Sequence, residues 1–153
     1  MITLNQVAPN FTLPDSAGHI FTLHEYNNRQ NVVLIFYPGD DTAGCTKQLC
    51  EAKDASKFFE QQNAVVLAIN HQGAESHQAF IKKYGLNMPL LIDQDRKVIE
   101  QYGAKTEENG DASTVRTVVI IDKIGLVKYI YRGDPGTEEI IKQLKEINNF
   151  QKN

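Results

Sequence analysis

The two cysteines of the 153-residue chain lie five positions apart, at Cys45 and Cys50. They follow an apolar run, NVVLIFY (residues 31–37), and a turn-forming stretch, PGDDTAG (residues 38–44). The run predicts a buried strand, and the apolar spacing beyond the turn predicts a helix over residues 46–62. Cys45 then stands at a helix N-terminus, where the helix dipole and free backbone N–H groups favour a thiolate. This setting predicts a nucleophile.

Cys50 and Thr42 each allow two interpretations. Cys50 lies about one and a half turns into the predicted helix and gains less from the dipole. It is either a resolving thiol, which attacks an oxidised Cys45 to form a disulfide, or a small buried apolar side chain. Thr42 offers a hydroxyl to the sulfur or its bound substrate, and it is also a suitable helix N-cap.

The same thiols could bind a metal. Cys45 and Cys50, with His71 and His77, make four potential ligands that loosely resemble a zinc pattern. The histidine spacing is wider than usual, a buried-looking strand intervenes, and a chain of this length needs no metal to fold. A thioredoxin-type Cys-x-x-Cys is absent. We therefore favour a peroxide-reducing thiol, with a zinc-binding or non-enzymatic thiol module as the alternative.

The elements that must position these thiols follow from apolar patterning. Four apolar runs rich in β-branched residues predict strands at residues 31–37, 64–69, 117–122 and 126–131. Helical faces lie between and after them, including His77, Phe80, Ile81 and Tyr84, with Gly85 as a stop. This alternation predicts an α/β fold. DKIG between the last two strands predicts an antiparallel pair, hence a mixed sheet, and DSAG predicts an N-terminal hairpin.

Composition narrows the class of protein. Apolar residues make up 41% and charged residues 23%, as in a globular protein, and the length predicts a single domain over residues 1–153. A net charge of −3 without a basic tract argues against nucleic-acid and anionic-membrane partners. No run reaches bilayer length and no secretory leader is visible, which predicts a cytoplasmic location. Since no large apolar stripe is evident, we expect a monomer or weak dimer.

The segment YPGDDTAGCTKQLC resembles the active-site segment of peroxiredoxins, in particular the bacterioferritin comigratory protein (peroxiredoxin Q) subfamily. The family pattern Pro-x-x-x-Thr-x-x-Cys falls on Pro38, Thr42 and Cys45, and the subfamily's optional resolving cysteine falls on Cys50. The strand RTVVIID carries the family's active-site arginine onto Arg116. The similarity covers nearly the whole chain, through APNFTLPDSAG, ESHQAFIKKYGL and PLLIDQD.

The resemblance implies a thioredoxin-like fold and a peroxidase that needs no metal or organic cofactor. Cys45 would reduce hydrogen peroxide or an organic hydroperoxide and become a sulfenic acid. Cys50 would then form a disulfide with it, which thioredoxin or a similar dithiol would reduce. Thr42, Arg116 and the backbone at Gly44 would bind the peroxide, and Pro38 would shield the sulfur.

This chain also departs from the family pattern. Ala43 replaces a common proline, Gly39 replaces a common lysine, and INHQ (residues 69–72) replaces a frequent Ser-Pro-Asp. The segment over residues 103–115 is shorter than in many relatives and lacks their aromatic residues. The resemblance therefore leaves the preferred hydroperoxide open.

Helix geometry adds a prediction about the disulfide. Five helical positions separate two Cα atoms by roughly 8–9 Å, whereas a disulfide tolerates at most about 7 Å. If residues 46–62 are helical, Cys45 and Cys50 cannot bond until the first turns unwind. The sequence therefore predicts a backbone change over residues 44–52 in each catalytic cycle.

Overall fold

A five-stranded mixed sheet lies at the centre of the computed structural model, which describes residues 2–151. In chain order the strands are β1 (Thr12–Pro14), β2 (Ile20–Thr22), β3 (Asn31–Phe36), β4 (Ala64–Asn70), β5 (Leu90–Ile92), β6 (Lys105–Glu108), β7 (Asp111–Thr114), β8 (Thr117–Ile121) and β9 (Val127–Arg132). The central sheet has the order β5-β4-β3-β8-β9. β3, β4 and β5 are parallel, and β8 runs antiparallel to both β3 and β9. The predicted mixed α/β sheet is confirmed.

The helices flank this sheet. In chain order they are α1 (Ala43–Asp54), α2 (Ser56–Gln61), α3 (Ala74–Tyr84), α4 (Lys97–Gln101) and α5 (Thr137–Gln151), with a short 3-10 helix at Leu23–Tyr26. Gly85 ends α3 in the left-handed conformation at φ 64°, as its position after the apolar face predicts. Within residues 2–151, no helix has the length and apolar character that crossing a bilayer requires.

The prediction of one helix over residues 46–62 is wrong in two respects. The helix begins earlier, at Ala43, so Cys45 lies inside its first turn rather than before it. It also breaks at Ala55, whose backbone leaves the helical region at φ −96° and ψ 10°. The Ala55 N–H is shared between the carbonyls of Glu51 and Ala52, which ends the regular hydrogen-bond register. No glycine or proline marks this break.

Strand β3 separates two apolar clusters because its side chains alternate and all six residues are buried. Leu34 and Phe36 face the cluster that contains the N-terminal hairpin and Tyr102. Val33 and Ile35 face the opposite cluster, which also contains Cys45 and the buried faces of α1, α3 and α5. The central strand therefore carries the cysteine helix on one side of the sheet.

Two antiparallel hairpins lie outside the central sheet. β1 and β2 pair around DSAG, with Thr12 opposite Thr22, so the N-terminal hairpin is confirmed. β6 and β7 form a second hairpin within the short segment over residues 103–115. Asn109 and Gly110 turn it with φ values of 52° and 84°, the positive angles that a tight hairpin turn requires. The Asn109-Gly110 pair is a sequence signal from which this second hairpin could have been predicted.

Candidate active site

The connection between β3 and α1 brings Cys45 to the carboxyl end of β3, the central strand of the sheet. Cys45 is the third residue of α1 and its side chain is fully buried, and both cysteines are free thiols. Thr42 occupies the N-cap position, but its hydroxyl donates to the Gly39 carbonyl at 3.1 Å instead of capping the helix. Since no side chain caps α1, its first N–H groups are left for a ligand.

Sheet register brings Arg116 to the same end of β3. Arg116 directly precedes β8, and the antiparallel pairing sets Thr117 opposite Phe36, the last residue of β3. The Arg116 Nη2 donates to Cys45 Sγ at 3.2 Å. A guanidinium at this distance favours negative charge on the sulfur, and the helix N-terminus acts in the same direction. The sequence predicted Cys45 at a helix start, and the resemblance to peroxiredoxins implied Arg116 at a strand start. The structure brings the two side chains into contact.

Gln48 completes the contact with Arg116 and was missed by sequence reasoning. Its Oε1 accepts a hydrogen bond from Arg116 Nη1 at 2.8 Å, and the residue is 1% exposed. Within residues 2–151 its Nε2 has no hydrogen-bond partner. The available signal was a polar residue three positions after Cys45, on the same helix face. We call Cys45, Gln48 and Arg116 the Cys45 cluster.

Gly44 permits the close approach of Arg116. A Cβ atom at this position would lie 3.0 Å from Arg116 Nη2, closer than side-chain carbons usually approach a neighbour. Pro38 and Gly39, in the same connection, are exposed and half-buried respectively. The structure thus gathers Cys45, Gly44 and Arg116 in direct proximity, with Thr42 at the adjoining helix start.

Cys50 lies within intact helix rather than beside Cys45. It is half-buried and packs against the apolar cluster on the α1 side of the sheet. Both cysteines belong to α1, which continues to Asp54 without a break. Five helical positions hold their Cα atoms roughly 8–9 Å apart. The two thiols therefore need a backbone change before they can bond.

A second polar group is built around Asp40, within the connection between β3 and α1. The Asp40 carboxylate accepts hydrogen bonds from Tyr37 Oη at 2.7 Å, Ser76 Oγ at 2.6 Å, His77 Nδ1 at 2.6 Å and Asn70 Nδ2 at 3.2 Å. We call these five residues the Asp40 cluster. Burial acts to raise the pKa of Asp40, but the hydrogen bonds from His77, Ser76 and Tyr37 outweigh it and hold that pKa below its usual value. Burial raises the pKa of Tyr37, so its hydroxyl stays a donor.

The zinc alternative finds no support in this arrangement. His77 is fully buried in α3, and its ring nitrogens contact Asp40 Oδ2 and the Leu91 carbonyl rather than a thiol. His71 is half-buried, and burial lowers its pKa. Across the described part of the chain, no three His, Cys, Asp or Glu side chains group closely enough to hold a metal ion. His77 was predicted on a helix face but not as the partner of Asp40.

Comparison with known proteins agrees with this geometry. The AhpC/TSA family model matches residues 4–130. Chloroplastic peroxiredoxin Q of Triticum aestivum is 39% identical over 150 residues, which cover 97% of this chain and 68% of that protein. The putative peroxiredoxin bcp of Coxiella burnetii is 37% identical over 134 residues, which cover 85% of this chain and 88% of that protein.

Solved structures match nearly the whole chain. Peroxidoxin BcpB from Mycobacterium tuberculosis superposes with a TM-score of 0.89 at 27% identity, covering 96% of this chain and 99% of that chain. A cysteine-to-serine mutant of PrxQ from Xylella fastidiosa gives a TM-score of 0.89 at 27% identity, covering 97% of this chain and 98% of that chain. The thioredoxin-like fold of the peroxiredoxins is therefore confirmed. The chain belongs to the AhpC/TSA family, and its relatives include peroxiredoxins of the Q and bcp type.

Proposed function

We propose that Cys45 is the peroxidatic thiol of this chain, which its family membership makes a thiol-dependent peroxidase. The observation that carries the proposal is the 3.2 Å contact from Arg116 Nη2 to Cys45 Sγ at an uncapped helix N-terminus. A positive group and free N–H donors stabilise both the attacking thiolate and the charge that develops as the peroxide bond breaks.

The first step is oxidation of Cys45 by a hydroperoxide. The thiolate attacks the terminal peroxide oxygen, an S–O bond forms, and the O–O bond breaks. The sulfur becomes a sulfenic acid, and the departing oxygen takes up a proton to leave as water or an alcohol. Arg116 and the N–H groups at Gly44 and Cys45 stabilise the oxygen atoms, Thr42 turns its hydroxyl toward them, and Pro38 shields the sulfur.

The second step is condensation with Cys50. The Cys50 thiolate attacks the sulfenic sulfur, water leaves, and an intramolecular Cys45–Cys50 disulfide forms. The helical separation of the two residues supports unwinding of the first turns of α1 before this step. A thioredoxin-type dithiol then reduces the disulfide and returns both thiols. Hydrogen peroxide and organic hydroperoxides are the proposed substrates.

The proposal also covers the domain organisation, location and oligomeric state of the enzyme. We assign it as a single domain over residues 1–153 that works in the cytoplasm as a monomer or weak dimer. The Coxiella burnetii relative, a bacterial protein of similar length, supports this location, whereas the plant relatives are named as chloroplastic. Neither a nucleic acid nor a membrane surface is proposed as a partner, since the net charge is −3.

Mass measurement after one equivalent of peroxide tests this function. The wild-type chain is expected to lose two hydrogens as the disulfide forms, whereas Cys50→Ser is expected to gain one oxygen at Cys45. Cys45→Ser should consume no peroxide with a dithiol reductant present. Peroxide consumption by Cys45→Ser at the wild-type rate would show that another group performs the chemistry.

A further inference from the structure

The Asp40 cluster is a buried ionic group that the two chemical steps above do not use. The side chains of Asp40 and His77 are 3% and 0% exposed. Burying a carboxylate is costly unless it is paired and hydrogen-bonded, and here four side-chain donors serve it. Such a fully satisfied network fixes its members in one arrangement.

One donor of this network lies in the connection after β3, and the other three come from two different elements. Tyr37 follows the end of β3, Asn70 ends β4, and Ser76 and His77 lie in the first turns of α3. The acceptor, Asp40, lies in the connection over residues 37–42 that leads into α1. The cluster therefore joins that connection to the end of β4 and to α3.

Further contacts hold the same connection. The Asp40 N–H donates to Gln72 Oε1 at 2.6 Å, and Asn70 Nδ2 contacts the same oxygen at 3.2 Å. Thr42 closes the connection on itself through its bond to the Gly39 carbonyl. At its start, Tyr37 packs in the same apolar cluster as Cys45. Movement of Asp40 would consequently shift both ends of the connection beside the thiol.

We propose that Asp40 and His77 are positioning residues for peroxide reduction. Their buried pair fixes the connection over residues 37–42, so that Thr42 and the first turn of α1 meet the peroxide beside Cys45. The inference rests on the proposed function of Cys45. Neither residue touches the sulfur, and the effect passes through Tyr37 and Thr42. Because the pair lies outside α1, it acts on the oxidation of Cys45 and not on the later approach of Cys50.

Substitution at His77 tests the proposal. His77→Leu removes the Nδ1 donor, whereas His77→Asn keeps an N–H donor near the Nδ1 position and serves as the conservative rescue. Asp41→Asn is the control for other contacts between this connection and α3. Asp41 follows Asp40 in the chain, and its bonds to Lys83 and Tyr84 also reach α3 but lie at the surface. Exposed pairs of this kind contribute little.

The rates of Cys45 oxidation and of disulfide formation distinguish a positioning role from a general loss of stability. The chain has no tryptophan, so Cys45 oxidation and disulfide formation are followed by rapid quench, alkylation and mass measurement. His77→Leu is expected to slow oxidation by hydrogen peroxide about tenfold, through the kcat/KM for peroxide, and to leave condensation within about twofold of wild type. His77→Asn should recover at least part of the oxidation rate, and Asp41→Asn should match wild type.

Several results would overturn the proposal. A folded His77→Leu chain that oxidises at the wild-type rate contradicts it, and so does an equal slowing of both steps. If His77→Leu fails to fold, Tyr37→Phe decides, because it removes one donor to Asp40 with almost no change in volume. Tyr37→Phe is expected to slow oxidation about threefold, and an unchanged rate rejects the proposal. Failure of the wild-type chain to consume peroxide would instead reject the proposed function itself.

Discussion

The Cys45 cluster and the Asp40 cluster both adjoin the short connection between β3 and α1, and they differ in how completely their polar atoms are satisfied. In the Asp40 cluster every donor around the carboxylate has its acceptor. In the Cys45 cluster Gln48 Nε2 has no partner within residues 2–151, and the start of α1 carries no side-chain cap. Unfilled donors beside a thiol are the groups that a substrate can use.

This difference suggests that the two clusters have separate roles. Under the proposed function, the satisfied cluster holds the backbone in place, and the unsatisfied cluster leaves donors free for a peroxide at a cost in stability. The two clusters also differ in their relation to α1, the helix that we propose unwinds. The Asp40 cluster includes no residue of α1, whereas both cysteines belong to that helix.

Within the Cys45 cluster, substitution of Arg116 is expected to have the largest effect on the rate of Cys45 oxidation. Arg116→Met removes both guanidinium bonds and should slow Cys45 oxidation about a hundredfold, the usual range for losing one charge-stabilising group. Arg116→Lys keeps the charge but loses the planar fork, so we expect a fall of about tenfold without unfolding. Rapid-quench oxidation rates and far-UV circular dichroism measure both. An unchanged rate in Arg116→Lys would reduce Arg116 to a surface charge.

Gln48 is expected to have a smaller effect. Gln48→Leu fills a similar volume but leaves Arg116 Nη1 without its acceptor, so the guanidinium is held less firmly beside the sulfur. A lost hydrogen bond of this kind is worth about 1 kcal/mol, or roughly a fivefold slower oxidation. The thermal midpoint should not fall, because the buried, unpartnered Nε2 is removed as well. An oxidation rate equal to or above that of the wild type would contradict the role of Gln48 as a support for Arg116.

Gly44 should give the smallest change. The Cβ of Gly44→Ala would meet Arg116 Nη2 at 3.0 Å, and the flexible guanidinium can move by a few tenths of an ångström. We expect oxidation to slow about threefold, since contact geometry and not charge is altered. Gly73→Ala is the matched control, because a Cβ there meets nothing within 4 Å. Equal oxidation rates in the two variants would show that Gly44 is not needed for the approach of Arg116.

Prediction from the sequence succeeded where neighbouring residues in the chain determine the environment of a residue. The apolar runs predicted β3, β4, β8 and β9, the turn after β3 predicted Cys45 near a helix N-terminus, and the resemblance to peroxiredoxins implied Arg116. It failed where the environment came from a distant part of the chain. Asp40 and His77 are separated by 37 positions, and no spacing rule pairs them.

Short elements were also missed. β5 has three residues, too few for a period, and the break at Ala55 comes without a glycine or proline. Gln48 looked like an ordinary polar residue in a helix until the sheet register brought Arg116 to it. These features depend on packing between elements, which the pattern along the chain does not encode.

Amide hydrogen exchange in the dithiol and disulfide states tests the central claim, that α1 unwinds against a fixed Asp40 cluster. The disulfide state is prepared with one equivalent of peroxide and verified by mass. We predict that amides over residues 45–52 lose protection in the disulfide state, whereas those of Asp40, His77 and the rest of α3 exchange equally in both. Equal protection over residues 45–52 in the two states would contradict the account, because it would mean that the disulfide forms without opening α1.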